Sequence, residues 1–333
     1  MENKPEITIL GDGGWGTTLA VHLAKNGFNV TIWGAFAENI NYMKKKRVNE
    51  KFLPGIKIPK NIILTSDLKS AIQNKNIIVL AIPSQYMRIV LKKVKALDFP
   101  QQAVYLSVTK GIETDTFKRI SEVIHAELGR VKLAVLSGPT IACEIAQGMP
   151  TVAVIAAHNP KVSALLQSIF ITDRFRIYAN DDVVGVELGG SLKNIIAIAC
   201  GVSDGLGFGA NTKAAILARG LAEISRLGMA MGAKAKTFSG ISGLGDLVTT
   251  CISPYSRNRL VGEKIGKGKS IKQIISHMQM VAEGVPTAKA AYALSLKYKV
   301  DMPIIKEVYS LLYKNKPALR AFKDLMARKI KKE

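Results

Sequence analysis

Three glycines carry the first recognisable chemistry in this sequence. Gly11, Gly13 and Gly16 stand in "GDGGWG" with the spacing GxGxxG, after the apolar run "ITIL" and ahead of "TTLAVHLAKNG". In a dinucleotide-binding turn the first glycine allows a tight bend, the second lets the backbone approach a pyrophosphate, and the third lets helix and strand pack. The helix N-terminus then aims its N–H groups at the anion. The spacing alone is weak evidence, but a strand before it and a helix after it give it weight. Asp12 runs against this chemistry, because a carboxylate facing the pyrophosphate would repel it. The expectation is that Asp12 turns outward, into solvent or toward a backbone N–H in an Asx-type turn. The same pattern asks for an acid at the end of the second strand to take ribose hydroxyls, or an arginine to take a 2′-phosphate. That place reads "WGAFAEN", with neither at Ala35 or Phe36; Glu38 comes late, and the "KKKR" run ending at Arg47 could serve a phosphate. NAD and NADP therefore both stay open.

The elements that must hold this turn are legible in the first half of the chain. Short β-branched runs, "ITIL", "NVTIW", "NIIVLAIP", "AVYLSVT", "LAVLSG" and "TVAVIAA", alternate with helical patterns. Strands apolar on both faces and separated by helices predict a mostly parallel sheet covered on both sides, a Rossmann-like α/β domain. From about Val183 helical stretches take over, and Leu217, Leu221, Ile224 and Met231 recur at helical spacing on what should be a buried face. The expected division is a dinucleotide-binding domain over 1–188 and an all-helical substrate-binding domain over 189–333.

A chain of 333 residues, 48% hydrophobic, is long enough to bury full cores, and 47 basic against 25 acidic residues suit anionic ligands. The three cysteines, Cys143, Cys200 and Cys251, have no paired spacing, which argues against a disulfide framework or a metal site and fits a reducing cytosol. "MENKPEITIL" has no leader pattern, and no uninterrupted apolar run looks long enough to span a bilayer, so a cytoplasmic protein that is not integral to a membrane is expected. "MKKKR" and the tail "MARKIKKE" read as solvated faces.

Several further motifs follow in order: "SVTKGIE", "SGPTIACEIAQGMPT", "VELGGSLKNIIAIACGVSDGLGFGANTKAAILARGLAEISRLG", "SGLGDLVTTC" and "SRNR". Together with the glycine turn they resemble the bacterial type of NAD(P)-dependent glycerol-3-phosphate dehydrogenase, from about Ile7 to about Lys316. The resemblance implies interconversion of sn-glycerol 3-phosphate and dihydroxyacetone phosphate in a cleft between the two domains, supply of glycerol 3-phosphate to phospholipid synthesis, and possible homodimers. It implies a catalytic group of Lys193 as proton partner, Asp246 to orient it, and Lys110. It also implies substrate contacts from Lys110, Gly138, Thr140, Lys193, Asp246, Thr250, Ser256, Arg257 and Asn258. Cofactor contacts are implied at Gly11, Gly13, Gly14, Trp15, Gly16, Lys110, Ala142, Arg257, Val281 and Glu283, with no metal. A planar guanidinium at Arg257 can take two phosphate oxygens at once. A lysine doing base work needs its proton loosened by burial or a neighbouring cation, and the resemblance sets Lys110 beside Lys193 for that. Gly14 and Thr140 stand where the family commonly has serine.

A related β-hydroxy acid dehydrogenase shares the two-domain plan and a catalytic lysine near an asparagine, but "GLGDL" and "SRNR" point away from it. A redox-sensing nucleic-acid binder would suit the positive charge. However, no helix-turn-helix or RNP-type pattern is present and aromatics are few, so no specific nucleic acid is expected.

Overall fold

The computed structural model describes residues 4–278 and 280–329. Within it the chain divides into two units: residues up to 110 together with 118–187, and 111–117 together with those from 188 onward. The division falls inside the helix Val183–Gly205.

The first unit is built on a sheet. Its strands are β1 (Ile7–Leu10), β2 (Val30–Trp33), β3 (Val48–Asn49), β4 (Leu53–Lys57), β5 (Ile63–Thr65), β6 (Ile77–Leu80), β7 (Val104–Ser107), β8 (Lys132–Ser137), β9 (Thr151–Ala156) and β10 (Phe175–Asn180). β3 and β4 pair with each other, and the other eight lie in the order β10-β9-β8-β7-β6-β1-β2-β5. Every neighbouring pair in the large sheet is parallel except β8 and β9. Central strands buried at every position follow from helices on both faces. In β6, Ile77 and Val79 join one core with Leu19, Leu23 and Leu166, while Ile78 and Leu80 join another with Val90, Leu91 and Ile124. Alternate side chains of one strand thus feed opposite cores. The chain leaves β1 toward β2 on one side and returns to β6 on the other, so the end of β1 is the topological switch point where such sheets bind ligands.

The second unit is helical, and its long members include Val183–Gly205, Ala210–Ala230, Arg257–Gly266, Gly284–Lys297 and Pro303–Tyr313. Two of them meet along a glycine seam. A Cβ added at Gly201 would lie 1.9 Å from the Arg259 carbonyl oxygen, one at Gly205 2.3 Å from that of Glu263, and one at Gly262 2.0 Å from that of Ile198. The helices Val183–Gly205 and Arg257–Gly266 therefore touch backbone to backbone.

Two expectations need correcting here. The buried face of Ala210–Ala230 is Gly220, Glu223, Ile224, Leu227 and Gly228, whereas Leu217, Leu221 and Met231 are only part-buried. Burial follows the neighbours that pack on the helix, including a carboxylate that caps another helix, and not hydrophobicity alone. Also, one described helix, Val183–Gly205, is long and apolar enough by length and composition to cross a bilayer; 89% of that window is buried inside the protein, as in a core helix. The last four residues of the lysine-rich tail, 330–333, lie outside the described residues.

Candidate functional site

In the first unit the glycine turn follows β1 directly. Gly11 has φ of +127°, and a Cβ there would lie 2.4 Å from the Ala81 carbonyl oxygen, so no other residue fits without a shift. A Cβ on Gly16 would meet the Gly11 oxygen at 2.1 Å, whereas one on Gly13 would meet nothing within 4 Å. The turn is packed beneath and open above at the residue meant to receive a phosphate. The helix Gly14–Lys25 that follows has no side-chain cap and no acid in its first turn, which leaves its first N–H groups for an anion. Trp15 adds a buried Nε1 with no partner among the described residues. These features fit a dinucleotide.

Asn49 holds the turn in shape: its Nδ2 donates to the Asp12 carbonyl oxygen at 2.7 Å and to Thr17 Oγ1 at 2.8 Å. The Asp12 carboxylate takes neither course expected of it. Oδ2 accepts from the Asn39 side-chain amide at 2.6 Å, because the parallel run of β1 and β2 brings residue 12 alongside Gly34 and the helix that follows. At the end of the "KKKR" run, Arg47 donates from its guanidinium to the carbonyl oxygens of Ile62 and Lys60.

Elsewhere in this unit Lys110, three residues beyond the end of β7, donates to the Gly138 carbonyl oxygen at 2.8 Å and to Thr140 Oγ1 at 3.1 Å. The loop after β8 thus joins all three residues. Ala142 accepts from Thr18 Oγ1 at 3.1 Å, tying the loop after β8 to the glycine-turn helix.

The second unit gathers a different group. Lys193, on Val183–Gly205, is 5% exposed and donates to Asp246, which is 1% exposed. It also donates to Thr250 Oγ1 at 2.5 Å, and Thr250 in turn donates to the Asp246 carbonyl oxygen at 2.7 Å. Asp246 begins a short helix, Asp246–Ile252, that continues out of a π-helical turn, Ile241–Gly245. Residues 246 and 250 lie one turn apart and so meet the same ammonium. The arrangement sets a carboxylate and a hydroxyl against a buried lysine, a geometry able to keep an ammonium aimed at a single spot.

The neighbouring residue, Asn194, reaches the other expected cluster. Its Oδ1 accepts from Asn258 Nδ2 at 2.9 Å, and Asn258 Oδ1 accepts from the Gly284 N–H at 2.9 Å. Arg257, beside Asn258, is exposed and spends Nη1 on the Val281 carbonyl oxygen at 2.7 Å, with the Glu283 carboxylate acting on it electrostatically. Its remaining donors have no partner among the described residues. Ser256 caps the helix Arg257–Gly266 by accepting from the Arg259 N–H at 3.2 Å.

Comparison with known proteins covers nearly all of this. The family model described as the N-terminus of NAD-dependent glycerol-3-phosphate dehydrogenase matches residues 6–163, and the one for its C-terminus matches residues 182–323. The chain belongs to the NAD-dependent glycerol-3-phosphate dehydrogenase family. A relative from Citrifermentans bemidjiense named glycerol-3-phosphate dehydrogenase [NAD(P)+] is 48% identical over 332 residues, covering 98% of each chain. One of the same name from Fusobacterium nucleatum is 45% identical over 330 residues, again 98% of each. The crystal structure of glycerol-3-phosphate dehydrogenase from Coxiella burnetii superposes with a TM-score of 0.95 at 37% identity, covering 98% of this chain and 99% of that one.

Among the residues expected from the glycerol-3-phosphate dehydrogenase resemblance, the structure brings together Lys193, Asp246 and Thr250 in one unit and Lys110, Gly138 and Thr140 in the other. Three further positions are defined by their surroundings. Asn258 is buried, its Nδ2 donating to Asn194 Oδ1 and its Oδ1 accepting from the Gly284 N–H. Arg259 pairs its Nε with Asp204 at 2.7 Å, and Lys213 meets the same carboxylate at 2.7 Å. Gly14 cannot simply be exchanged for serine, because an added Cβ would meet the Phe52 carbonyl oxygen at 2.5 Å. Sequence reasoning missed Asn39, Asn49 and Asn194. Asn194 lay in plain view within "SLKN", whereas nothing local marks Asn49 as a support for a turn more than thirty residues earlier.

Proposed function

We propose that this protein reversibly converts dihydroxyacetone phosphate to sn-glycerol 3-phosphate, with Lys193 as the proton partner and Arg257 as the phosphate anchor. The observation that carries this reading is the buried Lys193, held by Asp246 and Thr250 and linked through Asn194 and Asn258 to the helix that begins at Arg257. Gly11, Gly13, Gly14, Trp15 and Gly16 would hold the pyrophosphate of NAD or NADP, with further cofactor contacts from Ala142, Val281 and Glu283, and the nicotinamide would supply or accept the hydride. In reduction Lys193 Nζ gives a proton to the substrate oxygen as negative charge grows there, and in oxidation it takes that proton back. Asp246 balances the ammonium, and Thr250 fixes its direction. Arg257 grips the phosphate with the donors that Val281 leaves open, and Ser256 adds a hydroxyl. Lys110, after β7, and Thr140, in the loop after β8, orient the triose. We assign the protein to the cytosol as a homodimer that feeds phospholipid synthesis.

The test is oxidation of NADH and of NADPH with dihydroxyacetone phosphate, on wild type and Lys193→Ala. Wild type should consume at least one cofactor in a substrate-dependent way. Lys193→Ala should lose about 100-fold or more in kcat, the usual scale for a positioned proton donor. A variant with unchanged kcat sinks the assignment of Lys193.

A further inference from the structure

The geometry assigns Asp12 as the residue that reads the adenosine ribose of the cofactor, so that this chain prefers NAD to NADP. The inference rests on the dehydrogenase reading above and deepens it by naming the cofactor. The dinucleotide pattern places an acid at the end of β2, where it takes the ribose hydroxyls. Here that end reads Gly34, Ala35, Phe36, with no acid. The carboxylate comes instead from the end of β1.

The register explains how. Leu10 pairs with Trp33 across the parallel strands, and the Gly11 N–H donates to the Trp33 carbonyl oxygen at 2.9 Å. One residue further, Asp12 and Gly34 lie side by side. A Cβ built on Gly34 would be 2.6 Å from Asp12 Cγ and 2.7 Å from its Oδ2. The Asp12 carboxylate therefore occupies the space that a side chain at the end of β2 would claim, and only the glycine at 34 permits it. Asn39 Nδ2 holds Oδ2 from the other side at 2.6 Å. Oδ1 has no partner among the described residues, and the residue is only part-buried. A carboxylate fixed by one oxygen and open at the other is fit to accept hydrogen bonds from a vicinal diol.

The surroundings are hostile to a 2′-phosphate. Residues 34–37 contain no cation, and Glu38 lies in the first turn of the helix Ala37–Lys46. Lys44, Lys45 and Lys46 are in its last turn, about 10 Å further along the axis at 1.5 Å per residue. The Arg47 guanidinium is committed to two carbonyl oxygens. A 2′-phosphate would meet the Asp12 carboxylate first, and like charges repel. The acid thus sits in the phosphate turn by sequence but serves the ribose by position.

Direct titration of NADH and of NADPH by nucleotide fluorescence, on the full chain and on Asp12→Asn and Asp12→Ala, tests this without relying on turnover. Thermal melting shows that each variant is folded. Wild type should bind NADH about tenfold or more tighter than NADPH, the scale of one hydrogen bond to a charged group. Asp12→Asn should bring the two affinities within about threefold, mainly by improving NADPH. Asp12→Ala should weaken NADH as well, through the lost ribose contact. Equal wild-type affinities, a preference for NADPH, or a ratio unmoved by either substitution overturns the assignment. Failure of the wild type to oxidise either cofactor with dihydroxyacetone phosphate overturns the dehydrogenase reading instead, so the two failures are distinguishable.

Discussion

Removing the carboxylate beside Lys193 should cost more than most point changes, and the structure says how much. Lys193 and Asp246 are both almost wholly excluded from solvent. When one member of such a buried pair is deleted, the cost is about 3–5 kcal/mol, because the survivor is left charged in a poorly polarisable place. Asp246→Ala leaves the ammonium with Thr250 Oγ1 as a remaining acceptor, which places the loss at the low end, about 3 kcal/mol. Lys193→Met strands the carboxylate in the same way. Changing both together removes both buried charges, so the double variant should be more stable than the sum of the single losses by about 2–3 kcal/mol. Both tryptophans, Trp15 and Trp33, belong to the sheet unit, so urea unfolding followed by far-UV circular dichroism is the appropriate assay for a pair in the helical unit. Additive losses, or an Asp246→Ala cost below about 1 kcal/mol, would refute a mutually dependent buried pair.

Two further expectations concern the same helical unit. Glu223 is 1% exposed and accepts the N–H groups of Ile304 and Ile305 at 2.8 and 3.1 Å, and burial pushes its carboxyl up from 4.5 to about 7. The folded state then holds a proton that the unfolded chain has lost, so stability from this group is complete below pH 4.5 and falls as pH climbs to about 7. The fall is at most about 3 kcal/mol, at 1.36 kcal/mol per pH unit. Denaturant midpoints compared across that window should show this slope in wild type and not in Glu223→Gln. Asn258→Ala removes the hydrogen bonds from Nδ2 to Asn194 Oδ1 and from the buried Gly284 N–H to Oδ1, which should cost about 2 kcal/mol. It should also raise KM for the phosphorylated substrate more than it lowers kcat, as expected of a residue that sets the anchor and not the proton.

The sheet was legible because its central strands are mostly apolar and buried at every position, as a doubly covered parallel sheet requires. β10 escaped notice because "FRIYAN" lies at an edge, where charge is tolerated and burial alternates with exposure. The face of Ala210–Ala230 was misread because its inward residues include two glycines and Glu223, which hydropathy counts as outward. The roles of Lys193, Asp246 and Thr250 came from resemblance to a family; spacing alone would not have joined residues 53 and 57 positions apart. Asp12 was the instructive case. Its repulsion from phosphate was foreseeable, but its contact with Gly34 depends on strand register, which the residues on either side of it do not encode. The glycine pairs Gly201 with Gly205 and Gly262 with Gly266, each four apart, were visible signals of close helix contact that went unread.

That seam has a bearing on which molecules can react. Lys193 and Arg257 ride on the two helices whose main chains touch there. On the proposed roles, the span between the main-chain anchors of proton donor and phosphate grip is a gauge cut into the backbone, which the two side chains can trim but not reset. Homologous phosphorylated ketones with an added carbon should be refused by length before shape is consulted, and broadening that tolerance would require larger residues in the seam, not in the pocket.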